Sequence, residues 1–342
     1  MAPHSADFYR KAPPDRGASS FIHPPTPANI AFFAEALKAG CLVAIPTETV
    51  YGLAGLALRE SACRSIFEVK GRPLVDPLIV HVASPDWVAR LAEIPDEFKR
   101  LTEAFWPGPL TLILRKKPVV PDLVTAGHET VAVRMPRQPV AHALLEKLGQ
   151  PVAAPSANPF GYVSPTRPEH VAESFGPQVP FILDGGPCEI GIESTILDLS
   201  RPGTPSILRP GAITEENLKL KLHLHPNLDL NPNRNHAPPA PGTLPRHYSP
   251  ATQLLLFPFK SSPVAAPREA VVYLQRPSPP VSRDTYWLSE DGNPVTIAQS
   301  LFALLRQLDH AGHPRIHCEC PPPHSTGLLL AVRDRLNRAA AQ

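Results

Sequence analysis

Several features that would point to common classes of protein are missing from this sequence. It has only 5 cysteines in 342 residues, an odd number without the spacing of a disulfide framework, which favours a reducing compartment. No run of about 18 apolar residues occurs, so no membrane-spanning helix is expected. The first twenty-odd residues lack the apolar core of a signal peptide. We therefore expect a cytoplasmic protein with no membrane partner.

Three catalytic fingerprints are also absent. The sequence contains neither the G-x-x-x-x-G-K-[ST] phosphate loop nor the G-x-G-x-x-G dinucleotide turn. It also lacks the G-x-S-x-G elbow that presents the nucleophile of many hydrolases. A nucleotide, if one binds, must therefore be held by side-chain cations and hydroxyl groups.

Proline is over-represented, since it accounts for 46 of the 342 residues, well above the average usage of roughly 5%. A hydrophobic content of 43% is typical of a globular chain, and the length allows two domains. The formal net charge is +2, from 33 basic and 31 acidic side chains. That balance excludes a polybasic protein that coats nucleic acid but permits a local basic patch.

Breaker residues and apolar periodicity divide the chain into four parts. Residues 1–25 are polar and aperiodic, which predicts a flexible tail. Residues 26–221 mix short strands and helices without a strict βαβ rhythm, so the class is α/β or mixed α+β. Residues 222–250 are rich in proline, asparagine and histidine and predict a linker. Residues 251–342 predict a smaller α/β domain, with Thr296 as the cap of one helix.

The first domain contains several short apolar runs that predict buried strands. These runs are CLVAI (41–45), PLIVHV (77–82), LTLILR (110–115), TVAVR (130–134), PVAA (151–154), FIL (181–183) and TILDL (195–199). Helices are predicted from Thr26-Pro27 onward and over 60–70, 138–148, 168–175 and 214–220. In the second domain, 269–274, 284–288 and 315–319 predict strands.

Hydroxyl groups and cations recur where these strands end. Thr47 and Thr49 follow the strand that Pro46 terminates, and α/β sheets usually place ligand groups at such ends. Arg134 ends an apolar strand and needs an anion, because an unpaired buried charge is costly. A protein carboxylate and a ligand carboxylate would serve equally well. Arg209 likewise lies at a strand exit.

Each of the other polar residues in these motifs can be interpreted as a ligand-binding group or as part of the local structure. Lys70 and Arg72 flank Gly71, where they suit phosphate oxygens, although cations at a helix end also complement its dipole. Ser156 and Asn158 lie in PSANPFG, and turn chemistry alone would explain them. Considered together, these groups predict a cleft for a nucleoside triphosphate and a carboxylate.

A cluster of histidine and cysteine near the C-terminus does not predict a metal site. It consists of His313, His317, Cys318, Cys320 and His324. Its C-x-C spacing in a single cluster differs from the usual structural zinc patterns, and a strand that alternates in and out explains most of it.

An ordered series of motifs resembles one known family. The motifs are PTETVYGL (46–53), SIFEVKGRP (65–73), DPLIVHV (76–82), FWPGPLTLIL (105–114), TVAVRMP (130–136), PSAN (155–158), ESTILD (193–198), ILRPGAI (207–213), RHYSP (246–250), AQSLFALLRQLD (298–309) and VRDRLNRAA (332–340). The chain resembles the threonylcarbamoyl-AMP synthases, in the long form with a YrdC-like domain, a linker and a smaller C-terminal domain. The resemblance implies a twisted open sheet with a positive concave face, followed by a Rossmann-like domain.

The resemblance also implies a reaction, in which L-threonine, bicarbonate and ATP as substrate give threonylcarbamoyl-AMP and pyrophosphate. The product would pass to a tRNA threonylcarbamoyl transferase. Mg²⁺ is expected on the triphosphate, and a contact with tRNA or double-stranded RNA stays open. The linker is the expected lid over the cleft.

The family's site residues carry over by position. The resemblance implies that L-threonine meets Thr47, Thr49, His81, Arg134, Ala154 and Ser194. It implies that ATP meets Arg72, Asp76, Thr130, Ser156, Asn158, Ser164, Arg209 and Tyr248. Lys70, Arg72 and Arg134 are the expected catalytic residues.

Two departures and two alternatives accompany the resemblance. Asp76 stands where the family usually has asparagine, and a carboxylate cannot donate a hydrogen bond as an amide does. The second domain looks short, with the proline-rich stretch 258–282 in place of structure. The alternatives are a non-catalytic module that binds nucleotide or RNA, and a carbamoyltransferase that forms a carbamoyl-adenylate. The extra zinc-finger or kinase-like domains usual in such transferases are not visible.

Overall fold

The computed structural model describes residues 13, 21–222, 240–242, 247–278 and 284–341. Its strands form two separate sheets. The strands are β1 (Ile22–His23), β2 (Val43–Ile45), β3 (Gly52–Leu56), β4 (Ile79–His81), β5 (Leu110–Arg115), β6 (Thr130–Arg134), β7 (Val152–Ala153), β8 (Ile182–Leu183), β9 (Thr195–Asp198), β10 (Ser206–Arg209), β11 (Gln253–Pro258), β12 (Ala270–Gln275), β13 (Thr285–Ser289) and β14 (Arg315–Cys320).

Helices connect and cover these strands. The α-helices are α1 (Pro27–Lys38), α2 (Glu60–Lys70), α3 (Val88–Leu91), α4 (Glu97–Phe105), α5 (Asp122–Thr125), α6 (Pro139–Leu148), α7 (Pro168–Phe175), α8 (Glu215–Leu222), α9 (Pro294–His310) and α10 (Gly327–Ala339). Short 3-10 helices lie at Pro85–Trp87 and Gly176–Gln178.

The first unit is built on a mixed sheet of order β1-β8-β2-β3-β7-β4-β6-β5-β9-β10. β4 and β5 flank β6, the first in parallel and the second antiparallel. Their register places His81 and Thr111 on either side of Arg134. Three polar residues that are distant in sequence therefore lie side by side at one end of these three interior strands.

The two faces of this sheet differ because side chains alternate along each strand. Val80, Leu112 and Val133 point into the large apolar core beneath the helices. The opposite face carries a small apolar cluster that includes Ile79 and Ala132. This second face has room for a ligand.

The second unit is a parallel sheet of order β11-β14-β12-β13. α9 and α10 pack on one of its faces, and Val163 and Ile192 of the first unit belong to the same core cluster. The two units therefore share a core. The expected mixed α/β class with a smaller second α/β unit is confirmed.

Local signals predicted several elements closely. Helix α2 spans Glu60–Lys70 and ends at Gly71, whose φ of 61° is left-handed, a conformation that favours glycine. Strands β5 and β6 begin and end where the apolar runs do.

Other sequence predictions were wrong. Strand β1 lies inside the expected tail over 1–25 and pairs in parallel with β8; residues 1–12 and 14–20 lie outside the described part. Thr296 does not cap α9, because the Asn293 side chain accepts the N–H of Val295 at 2.9 Å. The proline-rich stretch 258–282, expected to stand in place of structure, contains β12 in the interior of the second sheet, where the separate prediction of a strand over 269–274 is confirmed.

Besides β1, two further strands were not predicted. β3 (GLAGL) contains two glycines, and a Cβ at Gly55 would lie 3.1 Å from Leu42 and 3.3 Å from the Ala62 carbonyl. Close packing, rather than β-propensity, thus explains the glycine there. β11 was missed because its apolar run directly follows the predicted linker, of which the structure describes 240–242 and 247–250.

Candidate active site

A cavity lies on the second face of the large sheet, and the space between its walls, open solvent included, is about 510 Å³. The residues predicted for the site that line it are Thr47, Thr49, Arg72, His81, Arg134, Ala154, Ser156, Ser194, Arg209 and Tyr248. They come from strand ends, loops and the linker. We call this cavity the pocket.

A tight turn after β2 forms one wall of the pocket. The Thr47 hydroxyl accepts the backbone N–H groups of Thr49 and Val50, both at 3.2 Å. It also donates to the Val50 carbonyl at 2.5 Å and lies 2.9 Å from the Thr49 hydroxyl. Such hydroxyl-to-backbone bonds fix a turn after a strand that Pro46 cannot continue. The Thr49 hydroxyl is held toward the pocket as a result.

Arg134 is the buried cation at the end of β6, and its charge is balanced by Glu48. Nη2 of Arg134 lies 2.7 Å from Oε1 of Glu48. Its Nη1 donates to the Thr49 hydroxyl at 2.8 Å and its Nε to the Gly108 carbonyl at 3.2 Å. These bonds use three of the five N–H donors of a guanidinium. The other two have no partner among the described residues, and Arg134 lines the pocket.

Arg72 lines the other end of the pocket, with Asp76 behind it. Nη2 of Arg72 lies 2.9 Å from Oδ2 of Asp76, and both side chains are nearly inaccessible. Nη2 also donates to the Pro77 carbonyl at 2.7 Å. Burial raises the pKa of Asp76, and the nearby Arg72, Lys70 and Arg209 oppose that shift. Asp76 therefore balances one pocket cation instead of lining the pocket.

Arg209 differs from these two arginines because its described partners are all neutral. Its guanidinium donates to the Ser194 carbonyl at 3.0 and 3.1 Å, to the Ser194 hydroxyl at 3.1 Å and to the Pro241 carbonyl at 2.9 Å. No carboxylate of the described residues forms an ion pair with it. The carboxylate of Glu193 favours the charge of Arg209 but is itself paired with Arg335. Since a buried cation without an ion-pair partner of its own is unfavourable, an anion would be attracted here.

His81 is a neutral hydrogen-bonding group in the pocket. Burial, and then the charge of Arg134, lowers the pKa of its imidazole to about 3. Nδ1 lies 3.3 Å from the Ile79 carbonyl, which assigns the N–H to Nδ1 and leaves Nε2 as an acceptor. At neutral pH His81 can accept a hydrogen bond but adds no charge.

Tyr248 covers the pocket from the linker side. Its ring stacks on Phe302 of α9, with centroids 5.5 Å apart, and its hydroxyl donates to the Gly242 carbonyl at 3.4 Å. Its backbone φ is 64°, an uncommon conformation for a bulky residue. The neighbouring His247 also lines the pocket, and burial, followed by the charge of Arg72, lowers its pKa well below the usual range.

The remaining predicted residues do not line the pocket. Lys70 donates to the Ser156 carbonyl at 2.6 Å and to the Asn158 carbonyl. The Asn158 amide donates within its own turn, and Ser164 donates to Glu193 at 2.6 Å. Thr130 lies at the opposite end of β6 from Arg134, about 13 Å away by strand rise.

Sequence reasoning also missed several residues of the pocket and its surroundings. Glu193, Gly242 and His247 line the pocket, and Glu48 orients Arg134. The available signal for Glu48 and Glu193 was a carboxylate inside a motif rich in apolar and hydroxyl residues, which should be buried and therefore paired. His247 lies next to Tyr248 in the RHYSP motif (246–250), which was the available signal for it, and no comparable signal marked Gly242 within the proline-rich linker.

Neither metal ligands nor a membrane span emerges from the described residues. They contain no group of three or more His, Cys, Asp or Glu side chains that could hold a metal ion. In the C-terminal histidine and cysteine cluster, His317 pairs with Glu269 at 2.8 Å and Cys318 faces the core. Within the same described ranges, every helix is too short or too polar to cross a membrane.

Comparison with known proteins assigns both units to one family. Residues 35–211 match the Sua5/YciO/YrdC family model, described as telomere recombination, and residues 213–341 match the C-terminal domain of threonylcarbamoyl-AMP synthase. The threonylcarbamoyl-AMP synthase of Pyrococcus abyssi is 40% identical, over 89% of this chain and 92% of its own length. The Bacillus subtilis synthase is 38% identical, over 91% and 92%.

Solved structures agree with this assignment. Pyrococcus abyssi Sua5 in complex with L-threonine superposes with a TM-score of 0.79 at 38% identity, over 91% of this chain and 94% of that one. A double-substitution variant of the same protein gives 0.81 at 36% identity, over 93% and 96%. The chain therefore belongs to the threonylcarbamoyl-AMP synthase family, a family of transferase enzymes.

Proposed function

As a member of this family, the chain is an enzyme, and we propose that it joins L-threonine, bicarbonate and ATP into threonylcarbamoyl-AMP with release of pyrophosphate. The product would serve a tRNA threonylcarbamoyl transferase. The observation that carries this proposal is the pocket itself, which is lined by Arg134 and Thr49 together with two further cations, Arg72 and Arg209. One cavity thus offers sites for a carboxylate and for phosphates.

L-threonine would bind at the end formed by Arg134. The two N–H donors that Arg134 has left are enough for a bidentate contact with a carboxylate. The Thr49 hydroxyl and Nε2 of His81 lie on the same side of the pocket and could accept from the ammonium and the substrate hydroxyl. The threonine complex of the Pyrococcus abyssi protein supports this choice of substrate.

ATP would bind at the end formed by Arg209 and Arg72. Phosphate oxygens would supply the ion-pair partner that Arg209 does not have among the described residues. Arg72 offers a second cation whose charge is partly balanced by Asp76. Mg²⁺ would enter as part of the MgATP substrate, because Mg²⁺ is usually bound by substrate phosphates with few protein ligands. Glu193 is the sole carboxylate of the described pocket lining, and it already binds Ser164 and Arg335.

The chemistry needs position and charge more than a protein nucleophile. The threonine amine and bicarbonate give a carbamate with loss of water, and a carbamate oxygen attacks the α-phosphate as pyrophosphate leaves. Arg134 would hold the amino acid, and Arg72 and Arg209 would balance charge on the phosphates. Lys70 would act through the Ser156 and Asn158 backbone that it holds. Tyr248 would exclude water from the labile carbamate.

The test is an assay of the purified full chain with ATP, Mg²⁺, bicarbonate and L-threonine. We expect pyrophosphate release that depends on threonine, together with threonylcarbamoyl-AMP detected by mass spectrometry. Folded protein that releases no threonine-dependent pyrophosphate would overturn the proposal. Binding of ATP and double-stranded RNA without turnover would indicate a binding module, and turnover only with carbamoyl phosphate would indicate a carbamoyltransferase.

A further inference from the structure

Arg335 of α10 is a fully buried arginine that reaches from the second unit to the edge of the pocket. Its Nε donates to Oε2 of Glu193 at 2.8 Å, and Glu193 lines the pocket. Its Nη1 donates to Asp334 at 2.8 Å. The interaction with Glu193 crosses between the units, since the two residues are 142 positions apart.

The same guanidinium contacts two further elements of the pocket. Nη2 of Arg335 donates to the Pro210 carbonyl at 3.0 Å, directly after Arg209. Its guanidinium carbon lies 5.4 Å from the centroid of the Tyr248 ring, within the range of a cation–π contact. A single side chain of the second unit thus contacts Glu193, the backbone beside Arg209, and the covering tyrosine.

All three contacts lie around Arg209, one of the two cations proposed to bind the phosphates. Glu193 precedes Ser194, whose carbonyl and hydroxyl orient Arg209. Tyr248 lies against Gly242, and a Cβ on Gly242 would come within 2.9 Å of Arg209. Arg134 is instead held by the carboxylate of Glu48, which accepts from Arg134 and from the backbone N–H of Arg137. Arg335 therefore contacts the surroundings of Arg209 and has no described hydrogen bond to Arg134 or Glu48.

We propose that Arg335 is a positioning residue through which the second unit sets the nucleotide-binding end of the pocket. The proposal rests on the proposed function for the identity of the two ligands. Without Arg335, the Glu193 carboxylate would lose its buried cation, and the 209–210 backbone and Tyr248 would lose their common contact. Nucleotide affinity should then fall while threonine affinity is retained.

Arg306 of α9 provides a matched control. It is also a buried arginine of the second unit, and it donates across to the Val163 carbonyl at 2.7 Å and the Ser174 hydroxyl at 3.1 Å. It does not line the pocket. A merely structural link between the units predicts the same behaviour for Arg306→Met and Arg335→Met.

The experiment measures equilibrium binding of α,β-methylene-ATP with Mg²⁺, and separately of L-threonine, by calorimetry without bicarbonate. For Arg335→Met we expect the nucleotide affinity to fall about 10- to 100-fold and the threonine affinity to change less than about threefold. Arg306→Met should keep the wild-type ratio of the two affinities. Equal weakening of both ligands by Arg335→Met, or no weakening of the nucleotide, would overturn the proposal.

Arg335→Lys covers the case in which the methionine variant does not fold. Lysine keeps a charge beside Glu193 but cannot donate to the Pro210 carbonyl at the same time. The nucleotide affinity of Arg335→Lys should therefore lie between those of the wild type and of Arg335→Met. If only the lysine variant folds, its nucleotide affinity should be about tenfold below the wild-type value. A lysine variant with wild-type nucleotide affinity would contradict the positioning role. Binding is measured without turnover, so wild-type protein that binds both ligands but makes no product would refute the proposed function and leave this inference testable.

Discussion

Removal of Arg134 should destabilise the fold as well as the site. The Arg134 and Glu48 side chains are only 4% and 2% exposed and lie 2.7 Å apart. In an Arg134→Ala variant the Glu48 carboxylate would stay buried, with the Arg137 N–H at 3.0 Å as its remaining described donor. Breaking a buried ion pair from one side costs about 3–5 kcal/mol, a large part of the ~5–15 kcal/mol of a typical domain.

A double variant separates the two effects. Arg134→Met with Glu48→Gln removes both charges and keeps similar side-chain volumes, so no buried charge is left without a partner. Replacement of a whole buried ion pair by neutral groups is often close to neutral. We therefore expect the double variant to recover most of the stability lost in Arg134→Ala, within about 2 kcal/mol of the wild type. Urea unfolding followed by circular dichroism measures this difference.

Threonine binding should not recover in the double variant. Hydrogen bonds to a charged group contribute about 1.5–3 kcal/mol, which corresponds to about 10- to 100-fold in affinity. Calorimetry with L-threonine should show this loss in every folded variant without the guanidinium, while ATP affinity changes little. Wild-type threonine affinity in the double variant would refute the role of Arg134. Equal instability of the single and double variants would show that the unpaired Glu48 is not the cause.

Three further predictions concern the phosphate end, the linker and pH. Asp76→Asn frees Arg72 from its internal carboxylate and should strengthen ATP binding about tenfold, or ~1.4 kcal/mol; unchanged or weaker affinity in calorimetry would show that this carboxylate does not act on the phosphates. Gly242→Ala should weaken ATP binding at least tenfold (about 1.4 kcal/mol) and lower the stability by about 1–2 kcal/mol, because its φ is +72° and a Cβ would lie 2.5 Å from the Tyr248 hydroxyl; wild-type ATP affinity in calorimetry would contradict this prediction. The free energy of unfolding should fall as the pH drops from about 6.5 toward 4. In this range the His81 imidazole is protonated in the unfolded chain but stays neutral in the folded protein, where its pKa is about 3. This costs up to about 1.4 kcal/mol per pH unit for each such group, and a His81→Asn variant with the wild-type slope in urea unfolding at pH 4.5–7.5 would contradict it.

Elements with a complete set of local signals could be predicted from the sequence. Helix α2 has an apolar face and a left-handed glycine at its end, and β6 is an uninterrupted apolar run. Strand β3 was not predicted, because its glycines satisfy a packing requirement set by residues elsewhere in the chain. The cap of α9 was misplaced from Asn293 to Thr296 because either side chain can accept a backbone N–H.

Most residues that line the pocket could also be predicted from the sequence, but the pairing of their charges could not. Thr49, Arg134 and Arg209 were predicted from their places in motifs at strand ends, and all line the pocket. The sequence did not identify Glu48 as the partner of Arg134, because the two residues are 86 positions apart. A protein carboxylate and a ligand carboxylate were equally acceptable anions until the register of the strands was known.

The sequence by itself determined which hydroxyl groups and cations are delivered to strand ends, because hydrophobic periodicity and breaker residues act over a few neighbouring positions. Only the tertiary structure decided how the charges are compensated. Arg72 and Arg134 each have an internal carboxylate, Arg209 has none among the described residues, and Arg335 joins the pocket from the second unit. Charge compensation depends on distance in space and on exclusion of water, and residues far apart in the chain set both.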